Sequence, residues 1–345
     1  MMRCARGTRP VRRRLTISTL AALGTALIPG AVPVAAQTAH AGARRVARAA
    51  ADSGAATAPV VGTIVVAHGA SDEWNAPVLE AAATAEAAGT GGPVEVAFLM
   101  GDAVPEYRFQ DAAHRLVEQG ATGIVVVPLF ASSHSSHYEQ IRWLAGERAD
   151  LEPDLMRHLS KGGIERPGVD ATIVLTKALD ASMEIATILA DRALALAEDP
   201  PSQALFIVGH GPNAAEDYAG WMRNLRPVAD SIARFTGFRD VKLGLVRDDA
   251  PEEVRAEAIR RIREIIRLQH DLTGRDVVVV PLLVSKGYIS TQKLPEDLDG
   301  LAISYDGEGL LPHEALAEWI VRRVNEAGVT AAGAAGSLSR PGVPR

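Results

Sequence analysis

Short apolar runs rich in β-branched residues alternate with longer segments of helical periodicity along most of this chain. The first half contains four such runs: Val60–Ala67, Val94–Leu99, Thr122–Phe130 and Ala171–Leu175. Each run is continuously apolar, which is typical of strands buried on both faces of a parallel sheet. Segments with apolar residues at helical spacing lie between the runs: Pro77–Ala88, Glu106–Gln119 and Met183–Ala197. The alternation therefore predicts a doubly wound α/β domain.

The second half repeats this order and many of its letters. Its predicted strands are Ala204–Val208, Val241–Val246, Val277–Val284 and Leu301–Ser304, and its predicted helices are Tyr218–Phe235, Pro251–Gln269 and Pro312–Asn325. A β-run, a histidine and a glycine follow one another at both His68 and His210, and Ile124–Leu129 echoes Val277–Leu282. We therefore expect two similar doubly wound α/β domains, each with a mainly parallel sheet of about four strands flanked by helices.

The domain boundaries follow from the repeat and from composition. The predicted domains span 60–198 and 204–328, and residues 199–203 between them have the Pro-rich and polar composition of a linker. Residues 37–59 form an Ala/Gly/Arg-rich flexible lead-in, and residues 329–345 are predicted to be a disordered tail.

The N-terminus has the layout of an export signal. Arginines crowd residues 3–14, an apolar run of small residues covers Leu15–Ala36, and small residues suitable for cleavage follow. This arrangement predicts a signal peptide at 1–36 and a periplasmic or secreted protein. The segment Val11–Thr16 loosely resembles a twin-arginine signal. An uncleaved membrane anchor remains the alternative, because the apolar run approaches a spanning length.

Charge and cysteine content narrow the classes of partner. The net charge is −6, with 36 basic and 42 acidic residues. Residues 1–36 hold six arginines and no acid, so the remainder has 30 basic and 42 acidic residues and a net charge of −12. An acidic body argues against nucleic acid as a partner. The only cysteine, Cys4, lies in the predicted signal, so a mature chain has neither disulfides nor thiolate metal ligands.

Histidines follow several predicted strands. His68 and His210 each come directly after a strand and before a glycine, at the strand ends where open α/β sheets bind ligands. The third strand leads into a Ser-rich loop that carries His134, His137 and Glu139. Imidazoles and a carboxylate suit a divalent transition metal, although a polar loop with surface histidines is the alternative. The histidines at 40, 114, 158 and 270 are interpreted as unrelated to function. His313 opens the last predicted helix, where it either faces the cleft or merely caps the helix.

Taken in order, these motifs resemble those of the class II tetrapyrrole chelatases. They are a strand followed by His68-Gly69, the strand Val94–Leu99, a Pro-Glu helix start at Pro105, and the run Gly120–Phe130 followed by a His-bearing loop. The resemblance is closest to the sirohydrochlorin cobaltochelatase/ferrochelatase branch and covers about Val60–Val324. It implies a lyase of siroheme or cobalamin biosynthesis that inserts Co²⁺, Fe²⁺ or Ni²⁺ into sirohydrochlorin or a related tetrapyrrole. The metal is then a substrate, and no organic cofactor is implied.

The resemblance also implies roles for individual residues. The macrocycle would lie in a cleft between the domains, with His68 and His137 holding the metal. His134 is the alternative second ligand, because the usual position is Ser136, one residue before His137. Proton removal would fall to Glu139, His134 or His210, so the expected catalytic set is His68, His137, His210 and Glu139.

The second half departs from the family pattern. Ile289 stands where a second histidine would be, and Gln292 where the acid would be. We therefore expect a single metal site, on the N-terminal half of a fused pseudo-dimer.

Two other functional classes stay open. One is an exported metal-binding or tetrapyrrole-binding protein that kept the fold without the reaction, because tetrapyrrole synthesis is normally cytoplasmic. The other is a hydrolase or phosphate-handling enzyme on a doubly wound fold. The sequence has neither a Gly-x-Ser-x-Gly elbow nor a Walker motif, which counts against this last class.

Overall fold

The structure is a computed structural model that describes residues 59–338. The predicted signal peptide at 1–36 and almost all of the lead-in at 37–59 lie outside the described residues. Within the described part of the chain, no helix combines the length and apolar character that a membrane crossing requires.

The first half forms a four-stranded sheet in the order β2-β1-β3-β4. Its strands are β1 (Val60–Ala67), β2 (Val94–Phe98), β3 (Ala121–Pro128) and β4 (Thr172–Leu175). All neighbouring strands pair in parallel. Strands β1 and β3 are buried along almost their whole length, as their continuously apolar sequences predict for strands covered on both faces.

The second half repeats the same topology, with the order β6-β5-β7-β8. Its strands are β5 (Ala204–Gly209), β6 (Asp240–Leu245), β7 (Val277–Leu282) and β8 (Ile303–Ser304), and all of them pair in parallel. The expectation of two similar α/β domains with mainly parallel sheets is confirmed.

Helices cover both sheets. In the first half they are α1 (Asp72–Gly89), α2 (Phe109–Glu118), α3 (Ser136–Leu144), α4 (Pro153–Lys161) and α5 (Met183–Leu196). In the second half they are α6 (Ala215–Thr236), α7 (Glu252–Thr273), α8 (Leu294–Asp297) and α9 (Glu314–Leu338). Helix α9 extends into the segment 329–345 that was predicted to be a tail. A short 3₁₀ turn at Pro200–Ser202 occupies the predicted linker.

Helix α3 begins inside the Ser-rich segment that the sequence analysis interpreted as a loop. Ser135 caps this helix, because its hydroxyl accepts a hydrogen bond of 3.2 Å from the backbone N–H of Tyr138. Serine is favoured at helix N-caps as well as in loops, so composition alone does not separate the two. His137 and Glu139 therefore lie in the first turn of a helix.

The two halves exchange their last helices. Helix α9, from the second half, packs against α1, β1, β3 and β4 of the first half. Helix α5, from the first half, packs against α6 and β7 of the second half. Arg192 of α5 reinforces the crossing by donating hydrogen bonds to the carbonyls of Gly309 (3.1 Å) and Pro312 (2.7 Å). One buried apolar cluster consequently runs through both halves, an arrangement that the order of elements in the sequence did not predict.

The exchange leads us to expect that both halves unfold together. Trp319 on α9 is only 1% exposed, and Trp319→Ala should lower the free energy of unfolding by about 3–5 kcal/mol because it leaves a large cavity. Chemical denaturation followed by circular dichroism should show one transition, shifted as a whole. The matched control is Leu268→Ala on α7, where the side chain is 61% exposed and the change should stay within about 0.5 kcal/mol. Two separate transitions, only one of them shifted, would contradict the expectation.

Candidate functional site

His68 stands at the carboxyl end of β1, where the chain turns sharply. The next residue, Gly69, has φ +83°, and a Cβ there would collide with the carbonyl of Met100, so only glycine fits. His68 Nδ1 lies 2.8 Å from the carbonyl oxygen of Gly69. Because a carbonyl only accepts hydrogen bonds, Nδ1 carries the proton and Nε2 keeps a free lone pair.

His210 has the same construction at the end of β5. Gly211 follows with φ +78°, and His210 Nδ1 lies 2.9 Å from the Gly211 carbonyl oxygen. The duplication has thus preserved a strand-end histidine whose tautomer is set by the backbone. Both histidines are where the sequence predicted them.

His137 approaches His68 from helix α3. The two ring centroids are 5.0 Å apart and the rings are nearly perpendicular, at 84°. His137 Nδ1 lies 2.9 Å from Oε1 of Gln140. This contact uses Nδ1 and leaves Nε2 of the same ring available. Aromatic side chains flank the pair, with Trp74 at 6.1 Å from His68 and Phe130 at 5.8 Å from His137.

His158, which the sequence analysis set aside, lies behind His137. Its ring centroid on α4 is 5.7 Å from that of His137. Gln140 connects the two rings, because its amide nitrogen is 3.3 Å from His158 Nδ1. His158 does not follow a strand, so the sequence carried no local signal for its position.

Burial keeps the two central imidazoles neutral. It lowers the pKa of His68 from 6.5 to about 3, with a further contribution from the neighbouring His137. Burial likewise lowers the pKa of His137, and the nearby His158 and His210 act in the same direction. Neutral imidazoles present lone pairs without first losing a proton, as metal coordination requires.

The second half contributes carboxylates to the site. Asp248 and Asp249 follow β6, and together with His210 they place three potential ligand atoms within 4.8 Å of one another. Asp249 Oδ2 is 3.5 Å from His210 Nε2. Asp248 is already engaged, because it pairs with Arg255 (3.0 Å) and Lys293 (2.6 Å). Neither aspartate was predicted as a site residue, although both lie shortly after the end of β6, where ligands bind in such sheets.

Two predicted site residues lie apart from the histidine pair. The ring of His134 sits over Gly220 of α6, where it fills the space that a Cβ would occupy, and its carbonyl accepts a hydrogen bond from Trp221. Glu139 pairs with Arg142 (3.2 Å) and with Arg148. The carboxylate of Glu139 is thus held by two guanidinium groups, and the structure does not bring it or the His134 ring beside His68 and His137.

The second-half counterpart of the His-bearing segment, residues 285–295, carries no histidine. Ile289 packs on the apolar cluster between α7 and the second sheet, and Gln292 is exposed. An open groove of about 560 Å³ lies between this segment and the start of α1; its lining includes Ser71, Glu73, Ser285, Lys286, Tyr288 and Glu308. Trp74 borders Gly287 so closely that a Cβ there would crowd the indole. The segments that follow β1 and β7 thus meet across the two halves.

Comparisons with known proteins agree with this architecture. Residues 62–196 match the CbiX family model. The chain is similar in structure to SirB from Bacillus subtilis with Fe³⁺, with a TM-score of 0.55 and 17% identity over 80% of this chain and 98% of SirB. It is also similar to the sirohydrochlorin chelatase SirB from Bacillus subtilis subspecies spizizenii in complex with cobalt, with a TM-score of 0.51 and 17% identity over 79% of this chain and 97% of that one. No curated protein sequence matches the chain significantly.

The fold is therefore that of the chelatase structures, as the motifs predicted. The segment that matches the CbiX family model carries both His68 and His137.

The lowered pKa of His68 predicts an acid-side loss of stability. The unfolded chain binds a proton at this position below about pH 6.5, whereas the folded chain resists it down to about pH 3. Stability should therefore fall as the pH drops through this window and be independent of His68 above it. In NMR titration of the metal-free protein, the ring shifts of His68 should stay those of neutral imidazole to below pH 5, whereas the guanidinium-denatured chain should titrate near 6.5. A native midpoint near 6.5 would show that the ring is solvated.

Proposed function

We propose that this protein inserts a divalent metal, Co²⁺, Fe²⁺ or Ni²⁺, into sirohydrochlorin or a related tetrapyrrole. The main support for this proposal is the His68–His137 pair, whose ring centroids lie 5.0 Å apart. The Nδ1 atoms of both rings contact other groups, the Gly69 carbonyl and the Gln140 amide oxygen. Two neutral imidazoles with free Nε2 lone pairs form a donor set that suits these metals. The SirB structures, described with Fe³⁺ and with cobalt, support the same class of substrate.

His68 and His137 would hold and partly dehydrate the incoming ion. Two donors leave coordination positions open, so the macrocycle nitrogens can replace the remaining ligands stepwise. The acidic body of the chain favours the approach of a cation. The metal is a substrate of this reaction, which needs no organic cofactor.

His210 and Asp249 would accept the protons that the macrocycle releases. Insertion of a divalent ion replaces two pyrrole N–H protons, so the site needs acceptors that are not bound to the metal. His210 Nε2 offers a lone pair, and the carboxylate of Asp249 at 3.5 Å stabilises the resulting imidazolium. Asp249 is 68% exposed at its side chain, which gives the protons a route to water.

We expect the loss of each histidine to affect metal insertion differently. We expect His68→Ala and His137→Ala each to reduce insertion of Co²⁺ into sirohydrochlorin by at least about 100-fold, because losing one ligand from a small set weakens the site strongly. His210→Ala should chiefly weaken macrocycle binding or proton removal. The matched control is His114→Ala, an exposed histidine on α2. Absorbance of the macrocycle measures the reaction, and circular dichroism verifies folding.

The same assay distinguishes the chelatase from a binding protein. A protein that only binds would shift the absorbance of sirohydrochlorin in proportion to protein and leave the metal-free macrocycle unconverted. Full activity in the His68→Ala/His137→Ala double variant would instead place the reaction elsewhere in the chain.

We further propose that the protein acts outside the cytoplasm. The proposal is supported by the arginine-rich start and the apolar run that ends at Ala36. The mature chain should begin near Gln37 or Gly42 and be recovered from the periplasmic or secreted fraction. N-terminal sequencing after fractionation measures this, and intact Met1 in a cytosolic pool would contradict it.

A further inference from the structure

Gln140 on α3 has a buried side-chain amide that contacts three polar groups. Its side chain has no exposed surface. The amide nitrogen donates to the carbonyl oxygen of Leu155 at 3.0 Å and faces His158 Nδ1 at 3.3 Å, while Oε1 faces His137 Nδ1 at 2.9 Å. Both donors of the amide and one acceptor position are therefore used.

The Leu155 carbonyl decides which way the amide points. A carbonyl oxygen can only accept, so the NH₂ end must face Leu155 and His158, and the oxygen must face His137. The oxygen in turn accepts from His137 Nδ1–H. We propose that Gln140 is a positioning residue that fixes His137 in the Nδ1–H tautomer, with Leu155 and His158 holding the amide in that orientation.

His137 needs a side-chain partner for this purpose, whereas His68 and His210 do not. The two strand-end histidines donate to the carbonyl of the next glycine. His137 lies in the first turn of a helix, where backbone carbonyls are committed to the helical ladder. A glutamine three residues later on the same helix face supplies the acceptor instead.

The tautomer of His137 determines which of its nitrogens can bind a metal. This consequence rests on the proposed function. With Nδ1 protonated, the lone pair of His137 is at Nε2, the atom available to an ion shared with His68. A ring free to exchange tautomers presents the wrong nitrogen for part of the time and is less well oriented. Partners of this kind typically contribute 10–100-fold to metal affinity.

The test measures the tautomers in the metal-free protein and then the affinity for Co²⁺ alone. Long-range ¹H–¹⁵N NMR should show His137 as Nδ1–H in the natural chain. In Gln140→Met it should show both tautomers, and Co²⁺ affinity should fall about 10–100-fold. The His68 tautomer is the internal control, because its partner is a backbone carbonyl and should not change.

A second pair of variants separates positioning from simple packing. His158→Leu removes the acceptor that helps to hold the amide, whereas His158→Asn keeps an acceptor near the position of Nδ1. We expect His158→Leu to loosen the His137 tautomer and lower Co²⁺ affinity, and His158→Asn to restore both. These variants also carry the test if Gln140→Met fails to fold.

The outcomes separate this inference from the proposed function. A His137 ring that stays entirely Nδ1–H in Gln140→Met and in His158→Leu would overturn the positioning role. Tautomer changes as expected, together with a natural chain that binds Co²⁺ but inserts none into sirohydrochlorin, would uphold the positioning role and overturn the proposed reaction.

Discussion

Burial of both faces of two parallel sheets is the constraint on which the remaining features depend. With helices on each face, the edge formed by the strand ends is the part of each sheet left for chemistry. The exchange of α5 and α9 ties the halves into one apolar cluster, so the two edges meet. Trp74, which follows β1, thereby borders Gly287, which follows β7, and the site is assembled from both copies of the repeat.

The same burial determines the electrostatics of the site. Desolvation disfavours the charged form of an imidazole, which is why the pKa of His68 and that of His137 are both lowered. The arginines of α3 and of the loop after it are occupied by Glu139. The N-terminal side of the site is therefore a neutral donor set, and the negative charge comes from Asp249 on the other half.

The sequence predicted features that are encoded locally. It missed those that depend on contacts between residues distant along the chain. The strands, and His68 and His210 at their ends, are encoded in contiguous residues, and the internal repeat reinforced them. Helix α3 was interpreted as a loop, because serine favours both structures. His158 and the helix exchange depend on packing between segments distant in sequence, and no local periodicity encodes either. Asp249 had a local signal in its place shortly after β6, but an isolated pair of carboxylates is too common in sequences to predict a site.

The two halves share the same turn, a strand-end histidine followed by glycine, but different groups face the histidine in each half. Each keeps a strand-end histidine with a backbone-fixed tautomer, but His68 faces another imidazole and His210 faces a carboxylate. In the proposed reaction this difference is required. An imidazole that donates its Nε2 lone pair to a metal cannot accept a proton at the same atom, so metal binding and proton removal need separate bases. A second metal site at His210 would occupy that base, and Ile289, which stands where the family pattern has a histidine, cannot supply the second ligand that such a site needs.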